Sequence, residues 1–264
     1  MNKVIRAEFG RTINAGLIIA IAGIIFSICF DSFNDLIAGL RNGQGYVGYF
    51  FSNAAFGGMC THYMLPVFTA LPFSVSLCQE RNNKAVSYIV SREGKNRYIF
   101  AKFIVSAVSG GFVAACGTVL LFLMLAMRFP IAGDEFEGAV VSDYFHEWSA
   151  VYYPQLYILT LSILAFCRGV IWSSLALCVS LYTSDFMVVL LSPFLGSYVL
   201  VRIFQIIRVP DMVRPDMILI GQVVIKSSGL TLLIAIAISL TIVTLIGAFF
   251  VGKMKEGLKS GTIY

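Results

Sequence analysis

The chain has 264 residues, of which 58% are hydrophobic and only 12% charged, and its mean hydropathy is +0.86. Soluble domains carry about 25% charged residues, so this composition excludes a single soluble core and points to a polytopic membrane protein. The net charge of +5 fits the positive-inside bias of membrane proteins better than a nucleic-acid surface.

Residues 1–12, MNKVIRAEFGRT, set Lys3, Arg6 and Arg11 among Met1, Val4, Ile5 and Phe9. Read as a helix, the segment is short and amphipathic and suits the membrane interface. Read as a basic tail, it only sets orientation. The uncharged run 13–30 is longer than the roughly 7–15-residue apolar region of a signal peptide, so it is expected to be a retained first span. Residues 31–55 follow, and Tyr46, Tyr49, Phe50 and Phe51 among them fit an interfacial aromatic belt. A second span is expected over 56–78, bent by Pro66 and Pro72, because proline removes a helical donor. His62 lies near its outer end. With no acidic residue in that span, packing or an interfacial position suits His62 better than proton transfer.

The third span is expected over 103–127. Ser106, Gly110, Ala114 and Thr118 recur there at four-residue spacing, beside Gly111 and Ala115. Such a stripe lets helices approach closely in lipid. Residues 128–154 are acidic, with Asp134, Glu135, Glu137, Asp143 and Glu147. His146-Glu147 beside Asp143 lacks the second histidine of an H-E-x-x-H zinc motif, so a solvated outer loop is expected, and Trp148, Tyr152 and Tyr153 mark the return to the interface. A fourth span over 155–182 and a fifth over 186–204, the latter holding Pro193 and Gly196, are separated only by Thr183, Ser184 and Asp185. They form a tight hairpin. Residues 205–226 are too charged and proline-rich for a simple span and too apolar for a plain loop, which suggests a re-entrant or interfacial segment. A sixth span over 227–252 precedes a basic tail. Cys29, Cys60, Cys78, Cys116, Cys167 and Cys178 all lie in or beside apolar runs without a C-x-x-C pair, so they read as packing residues rather than zinc ligands or a disulfide framework.

Six spans place both termini on one side. If that side is cytoplasmic, it holds twelve of the nineteen basic residues, against six outside and Arg168 within the membrane. The positive-inside rule supports this orientation.

The longest charged island is 80–102, ERNNKAVSYIVSREGKNRYIFAK. Within it, Ala85, Val86, Ile89 and Val90 fall on one helix face, as in a short amphipathic helix that could dock into a partner's groove. Glu80-Arg81 closes the second span. Ser91-Arg92, then Gly94, the pair Arg97-Tyr98 and Lys102 follow. This order resembles the permease subunits of type-2 ABC exporters, although Glu93 intervenes where that family has a more compact Ser-Arg-Gly-like turn. The basic N-terminal segment, the six spans and the irregular segment before the last span are similar to that family in outline.

The resemblance implies an all-α membrane permease: an amphipathic N-terminal interfacial helix, six transmembrane helices, cytoplasmic termini, and a cytoplasmic coupling helix between spans two and three. It also implies a bacterial-type plasma-membrane location and a second permease copy, identical or related. Two cytoplasmic ATPase subunits would use ATP and magnesium and move the coupling helices. Glu80, Arg81, Ala85, Ile89, Arg92, Arg97 and Lys102 would carry that coupling. The competing roles are a solvated interface pair for Glu80-Arg81 and lipid-phosphate anchoring for Arg92, Arg97 and Lys102. The chain has no G-x-x-x-x-G-K-[ST] motif, so no P-loop ATPase, cofactor or metal is assigned to it.

Arg168 is the one charge at mid-membrane depth. Such a residue costs about 2.5–3.5 kcal/mol on insertion scales and usually faces the bundle interior or water. It either lines a substrate path, attracting an acidic group, or bonds backbone carbonyls structurally. The leading expectation is ATP-driven export of a hydrophobic or amphipathic compound such as a peptide, antibiotic or lipid. An ion-gradient-driven secondary transporter, a membrane-embedded enzyme and a non-transporting anchor for a cytoplasmic partner are the alternatives.

Overall fold

The computed structural model describes residues 2–42, 47, 58–130, 154–221, 223, 225 and 227–260, and every regular element among them is helical. The aromatic group at 46–51, the acidic loop around Asp143, His146 and Glu147, and Trp148, Tyr152 and Tyr153 lie outside these residues.

Helix α1 (Asn2–Thr12) meets α2 (Ala15–Asp31) at a bend of 56°. Asn14 makes the elbow. Its side chain accepts from the Leu17 amide at 3.1 Å, a standard N-cap, and donates to the carbonyls of Arg11 and Pro72 at 3.1 and 3.4 Å. Helix α3 (Phe33–Asn42) follows directly. At the end of α2, Asp31 accepts from the amides of Cys60 and Thr61 at 2.9 and 2.6 Å, and so caps α4 (Met59–Ala70) from across the bundle.

The expected second span is broken rather than merely bent. α4 carries Pro66, gives way to turns at 71–75 around Pro72, and resumes as α5 (Ser76–Asn82). Proline at 72 offers no N–H to the ladder, and the chain makes shorter turn bonds there, such as Ser76 N to Phe73 O. Next come α6 (Val86–Glu93) and α7 (Lys95–Ala126), separated by Gly94 at φ +87°, a conformation that glycine adopts without strain.

Helix α8 (Pro154–Val179) leads into α9 (Phe186–Ile207), which is N-capped by Asp185 through a 2.8 Å bond from the Met187 amide. The irregular segment holds a 3-10 turn (Asp211–Val213) and α10 (Pro215–Ile220), whose Ile218, Leu219 and Ile220 are buried in the main core. Helix α11 (Ser228–Ser260) completes the described chain.

Among the described residues four helices, α7, α8, α9 and α11, are long and apolar enough to cross a membrane, and α1 with α2 would add a fifth as a bent pair. They match expected spans three to six and, for the bent pair, the first.

The small-residue stripe sits where α7 and α8 pack most extensively. A side chain on Gly169 would overlap the Gly110 backbone, and one on Gly110 would overlap Ser173. Ser74 and Ser106 share a 3.0 Å hydroxyl contact, and both donate to the Ser173 carbonyl. Close backbone approach and buried hydroxyl bonds thus replace the hydrophobic drive that lipid cannot supply. Gly169→Val is expected to lower stability by about 1–3 kcal/mol through overpacking. Gly252→Ala, at a position with nothing within 4 Å, is expected to be neutral or slightly stabilising. Thermal unfolding of the two purified variants checks the contrast.

Candidate functional site

Among the described residues two polar sites lie within the apolar bundle. The first joins α1, α5 and α7. Lys102 is fully buried, about one turn along α7 from Tyr98. A buried ammonium must be neutralised or lose its charge. Two carboxylates do this: Glu80 at 2.7 Å and Glu8 at 3.2 Å. Ser76 accepts a further bond from Lys102 at 3.2 Å, and the Phe73 ring lies 4.7 Å beneath the amine. Glu80 also accepts from the Tyr98 hydroxyl and from Arg11, both at 2.6 Å. One carboxylate therefore binds three donors from two other helices, and Glu8 on α1 closes the ring.

Glu80 and Arg81 are neighbours in sequence but face different partners. Arg81 turns towards the end of α8 and donates to the carbonyls of Ser180, Leu181 and Thr183 at 2.9, 3.2 and 3.4 Å. A cation there satisfies carbonyls left unpaired at a helix C-terminus. Asn82 adds a bond to the Ser184 carbonyl at 3.2 Å. The junction of α5 and α6 is thereby fixed to α1, α7 and the α8–α9 hairpin.

The apolar face of α6 lies where the spacing places it, but it faces inward. Val86 and Val90 are buried with Leu77, Tyr98, Leu177, Met254 and Leu258, and Ile89 packs at the edge of this cluster. Ala85 is half-buried, so neither Ala85 nor Ile89 forms an outward apolar face. Lys84, Tyr88, Arg92 and Arg97 are exposed instead, and Tyr88 is 69% exposed. Tyr88 is the residue that sequence reasoning passed over. Its signal is its position, two residues after Val86 and two before Val90, on the opposite side of the same helix. Lys95 is also exposed, and its amine donates to the Leu258 carbonyl at 3.3 Å.

The second site surrounds Arg168, midway along α8 and only 7% exposed. A cavity of about 160 Å³ adjoins it, with His62 of α4, Ser197 of α9 and Asp216 of α10 in the lining. The sequence places these residues far apart. The folding of α10 into the core brings Asp216, the acidic residue missing from the spans, into electrostatic contact with Arg168 and His62. Asp216 is itself paired with Arg214 at 2.7 Å, and Arg214 also reaches Asp211 at 3.2 Å.

No group of three or more His, Cys, Asp or Glu side chains with metal-binding geometry occurs among the described residues. Comparison with family models, with curated proteins and with solved structures finds no match.

Removing one member of a buried ion pair leaves its partner uncompensated, which costs about 3–5 kcal/mol. Lys102→Ala is expected to show a loss of that size. Arg11→Ala is expected to lose at most about 1 kcal/mol, because the Arg11 side chain is 54% exposed. Unfolding of the purified chains in mixed micelles, titrated with SDS, measures both.

Proposed function

We propose that this chain is the membrane-spanning permease subunit of a type-2 ABC exporter, working with a second permease copy and two cytoplasmic ATPase subunits. The observation that carries the proposal is the block built on Glu80 and Lys102. It ties a short helix with an outward basic and aromatic face to α1, α7 and the end of α8. A purely electrostatic membrane anchor needs exposed cations but no such bracing. A lever that passes an ATPase's movement to the spans needs both.

In this reading α6 is the coupling helix, and Lys84, Tyr88, Arg92 and Arg97 meet the ATPase. Glu80, Arg81 and Lys102 do not touch the partner; they keep α6 at a fixed angle to α1 and α7. Ala85 and Ile89 act from the inner side, by seating the helix. The family's topology supplies the finer picture: six spans, with α4–α5 as a broken second span, and both termini and α6 on the cytoplasmic side of a bacterial-type plasma membrane. ATP and magnesium are held by the partner. The substrate class is hydrophobic or amphipathic.

A gradient-driven transporter is the second reading. What favours it is the grouping of His62, Arg168 and Asp216 around one cavity, since ionisable residues in spans often mark ion pathways.

Purification from the native membrane in mild detergent separates the two. The wild-type chain is expected to retain a P-loop ATPase. Tyr88→Ala should reduce the retained amount several-fold, and Arg92→Glu/Arg97→Glu should abolish it. A wild-type chain that retains no ATPase, from cells that express one, would overturn the ABC reading and favour the gradient-driven one.

A further inference from the structure

Arg168 lines two spaces. The smaller, about 20 Å³, is bounded by Thr61, Thr118 and Leu161. Among the described residues the Thr61 hydroxyl has no hydrogen-bond partner. The rest of this space's lining is mostly apolar, with Ile28, Leu65 and Leu164 among it. The larger space, about 160 Å³, compares with engineered cavities that bind benzene. Its walls are mostly apolar, with Ile171, Trp172, Leu200 and Ile242 among them.

Arginine has five N–H donors in a rigid fork and stays charged in proteins. Among the described residues no hydrogen bond or ion pair reaches those of Arg168, although the residue is 7% exposed. Two of the other polar groups of the cavity, Asp216 and Ser197, are engaged in hydrogen bonds. The Asp216 carboxylate accepts two bonds from Arg214, at 2.7 and 3.3 Å. The Ser197 hydroxyl donates to the Phe194 carbonyl at 2.8 Å. His62 stands edge-on to the Tyr63 ring at 4.8 Å. A buried fork of donors beside an apolar cavity is incomplete without an acceptor.

We infer that this cavity binds a small apolar molecule bearing a single carboxylate, with the carboxylate on Arg168 and the hydrocarbon against Trp172. The donor geometry and the nearby Asp216 select a monoanion. One free guanidinium matches one carboxylate in a two-bond fork, whereas a dianionic phosphate would meet Asp216 with twice the repulsion. The size selects a body of about six carbons, a short chain or the end of a longer one. The inference deepens the proposed transport role by naming a substrate class. It rests on that role only for what the binding achieves, since the site lies within this chain.

The test uses the purified full chain without an ATPase, so its failure and the failure of the ABC reading are separate results. The chain has two tryptophans, and Trp148→Phe leaves Trp172 as the only tryptophan, excited selectively at the red edge of its absorption. 6-Bromohexanoate and its uncharged counterpart 6-bromohexanol both carry a quenching bromine. Saturable quenching of Trp172 is expected with the carboxylate at an affinity at least tenfold above that of the alcohol. Arg168→Gln should abolish the difference, and Arg168→Lys should retain part of it. If Arg168→Gln fails to fold by size-exclusion chromatography, the comparison of carboxylate with alcohol in the Trp148→Phe and Trp148→Phe/Arg168→Lys chains decides. Equal quenching by the two compounds, or carboxylate quenching unchanged by Arg168→Gln, would overturn the inference.

Discussion

The Glu80 carboxylate is the point on which the arrangement of this chain depends. Lys102 lies fully inside an apolar helix, where an isolated ammonium would be strongly disfavoured. Its neutralisation recruits Glu80 from α5 and Glu8 from α1, and Glu80 in turn holds Tyr98 and Arg11. Three segments must therefore meet at one place. The break at Pro72, the elbow at Asn14 and the turn at Gly94 are the three local features that let them do so. A buried network of this kind specifies one geometry because the alternatives leave charges unpaired. The arrangement is costly to deform, and that stiffness suits a part that carries force.

Much of this was legible in the sequence, and the exceptions have physical reasons. Long apolar runs mark α7, α8, α9 and α11 because length and hydropathy alone decide such elements. The close crossing at Gly110 and Gly169 was half visible: spacing exposes the stripe on α7 but not the partner it meets. Glu80 and Lys102 stand out as the charges that bracket the island, yet nothing local says that they bond each other, since the pairing depends on how α5 turns back onto α7. Glu8 was hidden in a segment that reads as basic. The apolar face of α6 was correctly spaced, but periodicity cannot tell whether such a face meets a partner or the chain's own core. Here it meets Leu77, Tyr98 and Met254, and Tyr88 is left outward.

The Arg168 site shows the same limit at longer range. His62, Arg168 and Asp216 belong to three separate segments, and Asp216 falls in a stretch whose mixed composition masks its depth. Its burial follows from Ile218, Leu219 and Ile220, which carry α10 into the core. The two sites divide the work of the proposed permease. One is a saturated network in which every charge has a partner, built to hold position. The other is an unsaturated cation beside a cavity, suited to receive a ligand.

The central claim is that the Glu80 network makes α1 and α6 a single rigid body. The most direct measurement is the distance between spin labels at Ala7 and Ser87, both exposed, by pulsed electron paramagnetic resonance in a cysteine-free background. The account predicts one narrow distance distribution in the otherwise native chain and a broad one after Glu80→Gln. A broad distribution with Glu80 present, or a narrow one that survives Glu80→Gln, would contradict it.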